Sequence, residues 1–203
     1  EFDRSRWSAV RWIENSAPKG FAANHNTALS EATGEWFAVV NPDIRLKEDA
    51  FFELASRLED AALAAPRVCN PRGDTEDSAR ALATPWRVAR RTLDRLQTGR
   101  AQPDIGIADW YAGMFYVVDA TAWRAIDGFD ERYFLYCEDT DFCLRLQLAG
   151  YTMRLFTDVS VIHDAQRASQ ISRRHLQWHI VSLLRLWSSA AFWRYLRVKS
   201  RRP

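Results

Sequence analysis

The stretch Trp36-Phe37-Ala38-Val39-Val40-Asn41-Pro42-Asp43 decides how the chain reads. Five apolar residues in succession mark a strand covered on both faces, the pattern of parallel sheets in α/β domains. Pro42 cannot donate to a strand ladder and pushes Asn41 toward extended backbone, so the strand stops there. Asp43 therefore falls just past the C-terminal edge of a buried strand, where open α/β sheets bind their ligands. Taken alone, an Asp after Asn-Pro reads as a turn former or a helix N-cap.

Upstream of this strand, Val10 to Ile13 reads as a short strand and Asn24 to Ala32 as a helix entered through a turn at Gly20. Downstream, the spacing of Phe51, Leu54, Leu58 and Ala62 predicts a helix from Glu48 to Ala64, ended by Pro66 and followed by a brief strand at Val68-Cys69. Asn70 to Ala83 is a polar loop, and Thr84-Pro85 opens a basic helix that runs to Gln97 and stops at Thr98-Gly99. Ala112 to Val118 is a further apolar strand, followed by a short helix capped by Asp119 or Thr121. A helix from Glu138 to Ala149, closed by Gly150, precedes two last strands, Tyr151 to Phe156 and Val159 to Ile162. This alternation argues for an α/β domain.

At 203 residues, 47% of them hydrophobic and 27% charged, the chain has the composition of a globular domain that needs no disulfide or metal staple. Cys69, Cys137 and Cys143 form no C-x-x-C pair, which fits a reducing, cytoplasmic compartment. No run reaches the roughly 18 apolar residues of a membrane span, and Glu1-Phe2-Asp3-Arg4 is too polar for a signal peptide. The formal charge of +2 hides an asymmetry: residues 165–203 hold nine basic side chains and no acid, so residues 1–164 carry the opposite sign. The expected organisation is a body over 1–164 and a tail over 165–203 built of one or two basic amphipathic helices. Leu176, Ile180, Leu183, Leu184 and Trp187 recur at helical spacing there. Such a tail either packs on the body or lies on an anionic bilayer, peripheral at the inner face of the cell membrane, and the two fates are compatible. Nucleic acid is not an expected partner, because the acidic body repels phosphate.

Two further clusters carry chemistry. Glu138-Asp139-Thr140-Asp141 places three carboxylates at a helix start. One or two acids there answer the helix dipole; three repel one another, a cost tolerated where a cation or a proton transfer wants the charge. His163, between Val161-Ile162 and Asp164, reads as a hydrogen-bonded core histidine unless a carboxylate such as Asp43 joins it, in which case a divalent cation fits the pair.

Several stretches together resemble glycosyltransferase family 2, and within it the rhamnosyltransferase-like enzymes of bacterial polysaccharide synthesis. They are Gly20 to Asn26, Val39-Val40-Asn41-Pro42-Asp43-Ile44, Gly113-Met114-Phe115, Gly128-Phe129-Asp130-Glu131, Tyr133 to Arg145 and Val161-Ile162-His163, in the family's order. Family members open with two strands that hold the nucleotide, and the matching region here begins after both. The resemblance implies an α/β, GT-A (Rossmann-like) fold with a mostly parallel central sheet flanked by helices, N-terminally truncated relative to the family. A sheet edge left bare in this way is the kind that a homodimer covers.

The resemblance also implies an inverting transfer of a sugar from a nucleotide-diphosphate sugar to a hydroxyl of a glycan or lipid-linked acceptor. Asn41-Pro42-Asp43 stands where the family has its D-x-D motif, so Asp43 and His163 would hold Mg²⁺ or Mn²⁺ on the diphosphate. Asp139 would be the general base. Glu138 and Asp141 would orient the acceptor, Trp110 and Gly113 would line its pocket, and Gly20, Asn26 and Asn41 would approach the donor. Single displacement needs one base and one Lewis acid and no nucleophilic side chain, which is the set this chain offers. The rival reading is a catalytically inactive GT-A remnant that serves as a binding or scaffolding module.

Overall fold

The computed structural model describes residues 10–46, 49–98, 108–164 and 173–201. Glu1 to Arg4, the helix start expected at Glu48, the stop at Gly99 and the tail residues Arg167 and Arg202 lie outside the described residues. The elements run α1 (Phe21–Ser30), β1 (Trp36–Val40), β2 (Ile44–Leu46), α2 (Ala50–Ala55), β3 (Leu63–Cys69), β4 (Ala79–Arg80) and α3 (Pro85–Thr98). They continue with β5 (Trp110–Tyr111), β6 (Phe115–Asp119), α4 (Ala120–Ala125), α5 (Glu138–Leu148), β7 (Met153–His163), α6 (Arg173–Ser188) and α7 (Ala190–Lys199).

Among the described residues the main sheet has five strands in the order β1-β6-β3-β7-β2. β1, β3 and β7 share one direction; β6 runs against them between β1 and β3, and β2 runs against β7 at the edge. The α/β class holds, and the pairing is mixed. The apolar run 36–40 does form a strand, but not one covered on both faces: β1 lies at the edge of the described sheet and buries Phe37 and Val39 while Trp36 and Val40 stay exposed. An apolar run also carries no sign of strand direction.

Three segments depart from expectation for physical reasons. Val10 to Ile13, expected as a strand, is irregular and exposed. The helix expected to reach Ala64 stops at Ala55, and a 3-10 turn (Leu58–Asp60) leads into β3, whose Leu63 and Ala64 are wholly buried between β6 and β7. Tertiary packing there overrides the helical preference of Ala and Leu. Pro66 lies inside β3, where the register against β7 jumps from Pro66 opposite Phe156 to Arg67 opposite Ser160. Proline within a sheet belongs at such a bulge. The same irregularity makes one continuous β7 look like two strands in sequence.

The sheet is covered on both sides. Phe115 and Val117 of β6 face Leu54 and Ala50 of α2, while Tyr116 and Val118 face Trp123, Phe142 and Leu146 of α4 and α5. The tail joins the body through a third cluster, in which Leu186, Phe192 and Tyr195 bury against Leu82, Tyr133 and Leu144. Trp187 donates to the Ala83 carbonyl (2.8 Å), Ser182 to that of Leu135 (2.8 Å), and buried Asp109 pairs with Lys199 and accepts from Tyr195 (2.8 Å). One face of the tail is therefore packed. Another is bare: on α6, Leu176, Ile180 and Leu184 keep 61%, 49% and 58% of their surface.

Gly128 sets the entry to the segment that precedes α5. Its φ is +61°, and a Cβ there would sit 2.6 Å from Asn26 Oδ1 and 2.8 Å from Trp123 Nε1. Gly128→Ala combines a left-handed penalty with a clash, and is expected to cost on the order of 2–4 kcal/mol. Thermal unfolding should show a melting temperature roughly 5–15 °C lower; an unchanged melt would mean that the segment yields freely.

Candidate active site

The loop after β1 is pinned at two points. Asn41 N–H donates to the Met114 carbonyl (2.8 Å), and the Asn41 carbonyl accepts from Ile44 N–H (3.1 Å), closing a tight turn over Pro42 and Asp43. Ile44 then pairs opposite His163, and Asp164 N–H donates to the Asp43 carbonyl (3.0 Å). The carboxylate of Asp43 thereby lies against the imidazole, with Oδ2 at 3.3 Å from His163 Nε2. The other ring nitrogen, Nδ1, is 2.7 Å from Glu76 Oε2.

This arrangement suits a cation. Asp43 Oδ1 is buried and has no hydrogen-bond partner, which costs free energy unless something positive meets it. A carboxylate on Nδ1 fixes the ring tautomer that leaves Nε2 free to ligate, a recurrent support for metal-binding histidines. Among the described residues no three His, Cys, Asp or Glu side chains converge on one point. One carboxylate and one imidazole, with ligand phosphate oxygens completing the shell, suit Mn²⁺ and, less ideally, Mg²⁺. Glu76 was not singled out in the sequence: it sits in a polar loop rich in acids, and only the turn between β3 and β4 carries it to His163.

The second group of carboxylates enters through a strained corner. Tyr136 and Cys137 both adopt left-handed backbone, with φ of +72° and +65°, a conformation non-glycine residues hold only when the surroundings impose it. The chain turns sharply there into the first turn of α5. Asp139 Oδ2 accepts from Gly113 N–H (3.0 Å) and Oδ1 from Thr140 N–H (2.7 Å). Because Gly113 adjoins Met114, which holds Asn41, Asp139 and Asp43 occupy the same mouth of the sheet.

The three acids of this turn have different fates. Burial raises the pKa of Asp139, opposed by its two N–H donors and by the charge of Arg80. Burial, and then the charge of Asp139, push Glu138 up to about 8, and its Oε2 has no partner. Asp141 pairs with Arg145 (2.6 Å), whose other nitrogens hold the Ile126 and Gly128 carbonyls. Through Arg145 its carboxylate fixes the 126–128 turn.

Gly20 and Asn26 make internal contacts. Gly20 lets the backbone of Phe134 approach, for a Cβ would meet the Phe134 carbonyl oxygen at 2.4 Å. Asn26 clips Phe129, accepting from its N–H (2.9 Å) and donating to its carbonyl (2.8 Å). Trp110 is buried, donates to the Ala81 carbonyl (3.3 Å) and carries the Arg80 guanidinium 5.3 Å above its ring. Asn41, Asp43, Gly113, Glu138, Asp139 and His163 are thus brought to one mouth. Cys69, Cys137 and Cys143 are buried free thiols.

Solved structures of similar fold include the mannosyltransferase PcManGT from Pyrobaculum calidifontis in complex with GDP-Man and Mn²⁺ (TM-score 0.53, 17% identity, 85% of this chain and 46% of that one). GalNAc-T7 with UDP, GalNAc and Mn²⁺ is another (TM-score 0.55, 12% identity, 75% and 31%). The fold is accordingly that of the GT-A glycosyltransferases. The model of glycosyl transferase family group 2 matches residues 36–201, and the chain belongs to that family. Similar proteins are the rhamnosyltransferase WbbL of Escherichia coli K12 (27% identical over 182 residues, 82% of this chain and 69% of that protein), and an N-acetylglucosaminyl-diphospho-decaprenol L-rhamnosyltransferase of Mycobacterium tuberculosis (29% over 206 residues, 86% and 65%). The chain spans about two thirds of the length of these relatives.

Glu138 gives a pH signature. Its folded value of about 8 lies above the ordinary 4.5, so the folded protein keeps a proton that the unfolded chain releases between those limits. The associated stability is complete below about pH 4.5 and is lost as pH rises through 8. Glu138→Gln, which cannot ionise, should melt several degrees above the wild type at pH 8.5 and close to it at pH 5. Parallel melting profiles would remove the buried proton from Glu138.

Proposed function

We propose that the chain transfers a sugar from a nucleotide-diphosphate sugar to a hydroxyl of a lipid-linked glycan acceptor in bacterial cell-surface polysaccharide synthesis, with inversion at the anomeric carbon. The observation that carries this reading is the meeting at one mouth of Asp43, with its unpartnered Oδ1 beside His163, and Asp139. The relatives support the acceptor class, one of them being named for a diphospho-decaprenol substrate, and the similar folds bound to GDP-Man or UDP with Mn²⁺ support the donor and the metal.

Asp43 and His163 would hold Mg²⁺ or Mn²⁺, a Lewis acid for the departing diphosphate. Asp139 takes the proton of the acceptor hydroxyl as its oxygen bonds to the anomeric carbon and the bond from that carbon to the diphosphate oxygen breaks. Partial desolvation makes its carboxylate a stronger base, and the Gly113 and Thr140 N–H groups fix its direction. Neutral Glu138 beside it offers a hydrogen bond to the acceptor through a group that has no partner of its own. No helix among the described residues is long and apolar enough to cross a membrane; we read the bare stripe of α6, in a tail without acids, as resting on an anionic bilayer at the inner face of the cell membrane.

Asp139→Asn should reduce transfer by about 10²–10⁴-fold and leave the melting temperature and metal-dependent nucleotide binding intact. Asp43→Asn should abolish the Mn²⁺ dependence of nucleotide binding measured by calorimetry. Wild-type protein that binds no nucleotide at millimolar concentration would favour the inactive binding module. Leu176→Gln/Ile180→Gln/Leu184→Gln should lower sedimentation with phosphatidylglycerol vesicles at least fivefold; equal sedimentation would assign the stripe elsewhere.

A further inference from the structure

The tail does more than pack. Helix α6 lies beside the strained corner that delivers the acids: the Tyr136 hydroxyl is 2.8 Å from His175 Nδ1, and its ring lies 5.0 Å from that of His179. Tyr136 precedes Asp139 by three residues, so His179 stands at the lip of the same mouth. On the other wall, Arg80 of β4 lies over Trp110, three residues before the Gly113 that holds Asp139. We infer that Arg80 and His179 form an anion subsite on the acceptor side, which receives the diphosphate joining the acceptor sugar to its lipid.

The inference rests on the transfer reading above and deepens it. A sugar whose hydroxyl meets Asp139 carries its anomeric phosphate one ring away, still within the mouth. A cation must stand there without joining the metal site, and Arg80 meets that need. Its charge opposes the upward push of burial on the Asp139 pKa and lowers that of His179, so it acts on both sides of the mouth. Arg80 is held through Nε, which donates to the Asp77 carbonyl (2.7 Å) and lies 3.3 Å from the Asp77 carboxylate. The terminal Nη1 and Nη2 pair is the part suited to a bidentate oxyanion. His179, whose pKa desolvation and the charge of Arg80 lower, supplies an N–H donor.

The helix geometry agrees. His175 and His179 are four residues apart and share one face of α6, turned toward Tyr136. Leu176 and Ile180 follow each by one residue and form the adjoining bare face. A lipid diphosphate has this order of parts: an anionic head for the first face and a hydrocarbon tail for the second.

The test is calorimetry on the full chain with the donor site saturated by nucleoside diphosphate and Mn²⁺. The two probes are N-acetylglucosaminyl diphosphate carrying a short prenyl chain and the uncharged alkyl glycoside of the same sugar. Wild-type protein should bind the first at least tenfold more tightly. Arg80→Gln and His179→Gln should each cut that preference severalfold without changing affinity for the glycoside, and Arg80→Lys should restore part of it. If Arg80→Gln melts early, His179→Gln, at an exposed helix position, decides. Equal losses for both probes, or no preference in the wild type, would each overturn the subsite. Loss of transfer in Asp139→Asn is independent of both, so failure of the subsite and failure of the transfer reading are distinguishable.

Discussion

Two main-chain hydrogen bonds, from Asn41 to the Met114 carbonyl and from Gly113 to the Asp139 carboxylate, hold the candidate site together. Gly113 and Met114 are adjacent, so one dipeptide at the start of β6 fixes both the loop that bears Asp43 and the helix that bears Asp139. The dipeptide is fixed in turn by register. Val40 pairs with Phe115, and along β6 the alternate residues bury on opposite sides, Phe115 and Val117 toward α2, Tyr116 and Val118 toward α5. A slip of one residue would turn each of these side chains to the wrong layer. The spacing of the two carboxylates is therefore enforced by the core and needs no contact of its own.

Burial then sorts the acids of α5. All three sit in a helix first turn, where the dipole favours negative charge, and all three lose water, which disfavours it. The balance is struck by partners. Asp141 has Arg145, Asp139 has two N–H groups, and Glu138 has an unpaired oxygen and keeps a proton. One short segment thus contains an ion pair, a carboxylate oriented by two N–H groups and a carboxyl that keeps its proton. Pairs of acids whose environments drive them apart are how a site divides acid and base work. The left-handed Tyr136 and Cys137 are strained for this arrangement, and the tail helps to hold them, through His175 on Tyr136 and through the cluster around Tyr133 and Cys137.

What could be read in the sequence was whatever depends on local pattern or on a linear motif. The strand at 36–40 and its stop at Pro42 follow from five apolar residues and a missing N–H; the Asp119 cap and the Gly150 stop, with φ of +90°, follow from side-chain and backbone chemistry at single positions. The family motif named Asp43, Asp139 and His163 before any geometry. What stayed hidden depends on distant partners. The antiparallel course of β6 is set by chain crossings, and Pro66 enters a strand because a bulge in β7 accommodates it. Glu76 reaches His163 across 87 residues of sequence, and Asn26 and Asp141 are motif residues whose polar groups turn out to be internally bonded. A linear motif does not distinguish a residue that touches a ligand from one that holds the motif in shape.

The charge asymmetry of the chain acquires a structural meaning at this point. An acidic body approaching an anionic bilayer, or an anionic lipid diphosphate, meets repulsion that a soluble acceptor would not impose. The tail reverses the sign on the side where such a substrate would arrive, and it does so without placing cations in the core: the buried Asp109 takes Lys199, Leu186 and Phe192 do the packing, and the arginines of α6 and α7 stay outside. α6 consequently presents three surfaces at once, an apolar one to the cluster of Leu82, Tyr133 and Leu144, an imidazole one toward Tyr136, and a bare aliphatic one beside it. An ordinary packing helix needs the first alone. The second and third make sense when the substrate itself joins a charged group to a hydrocarbon chain.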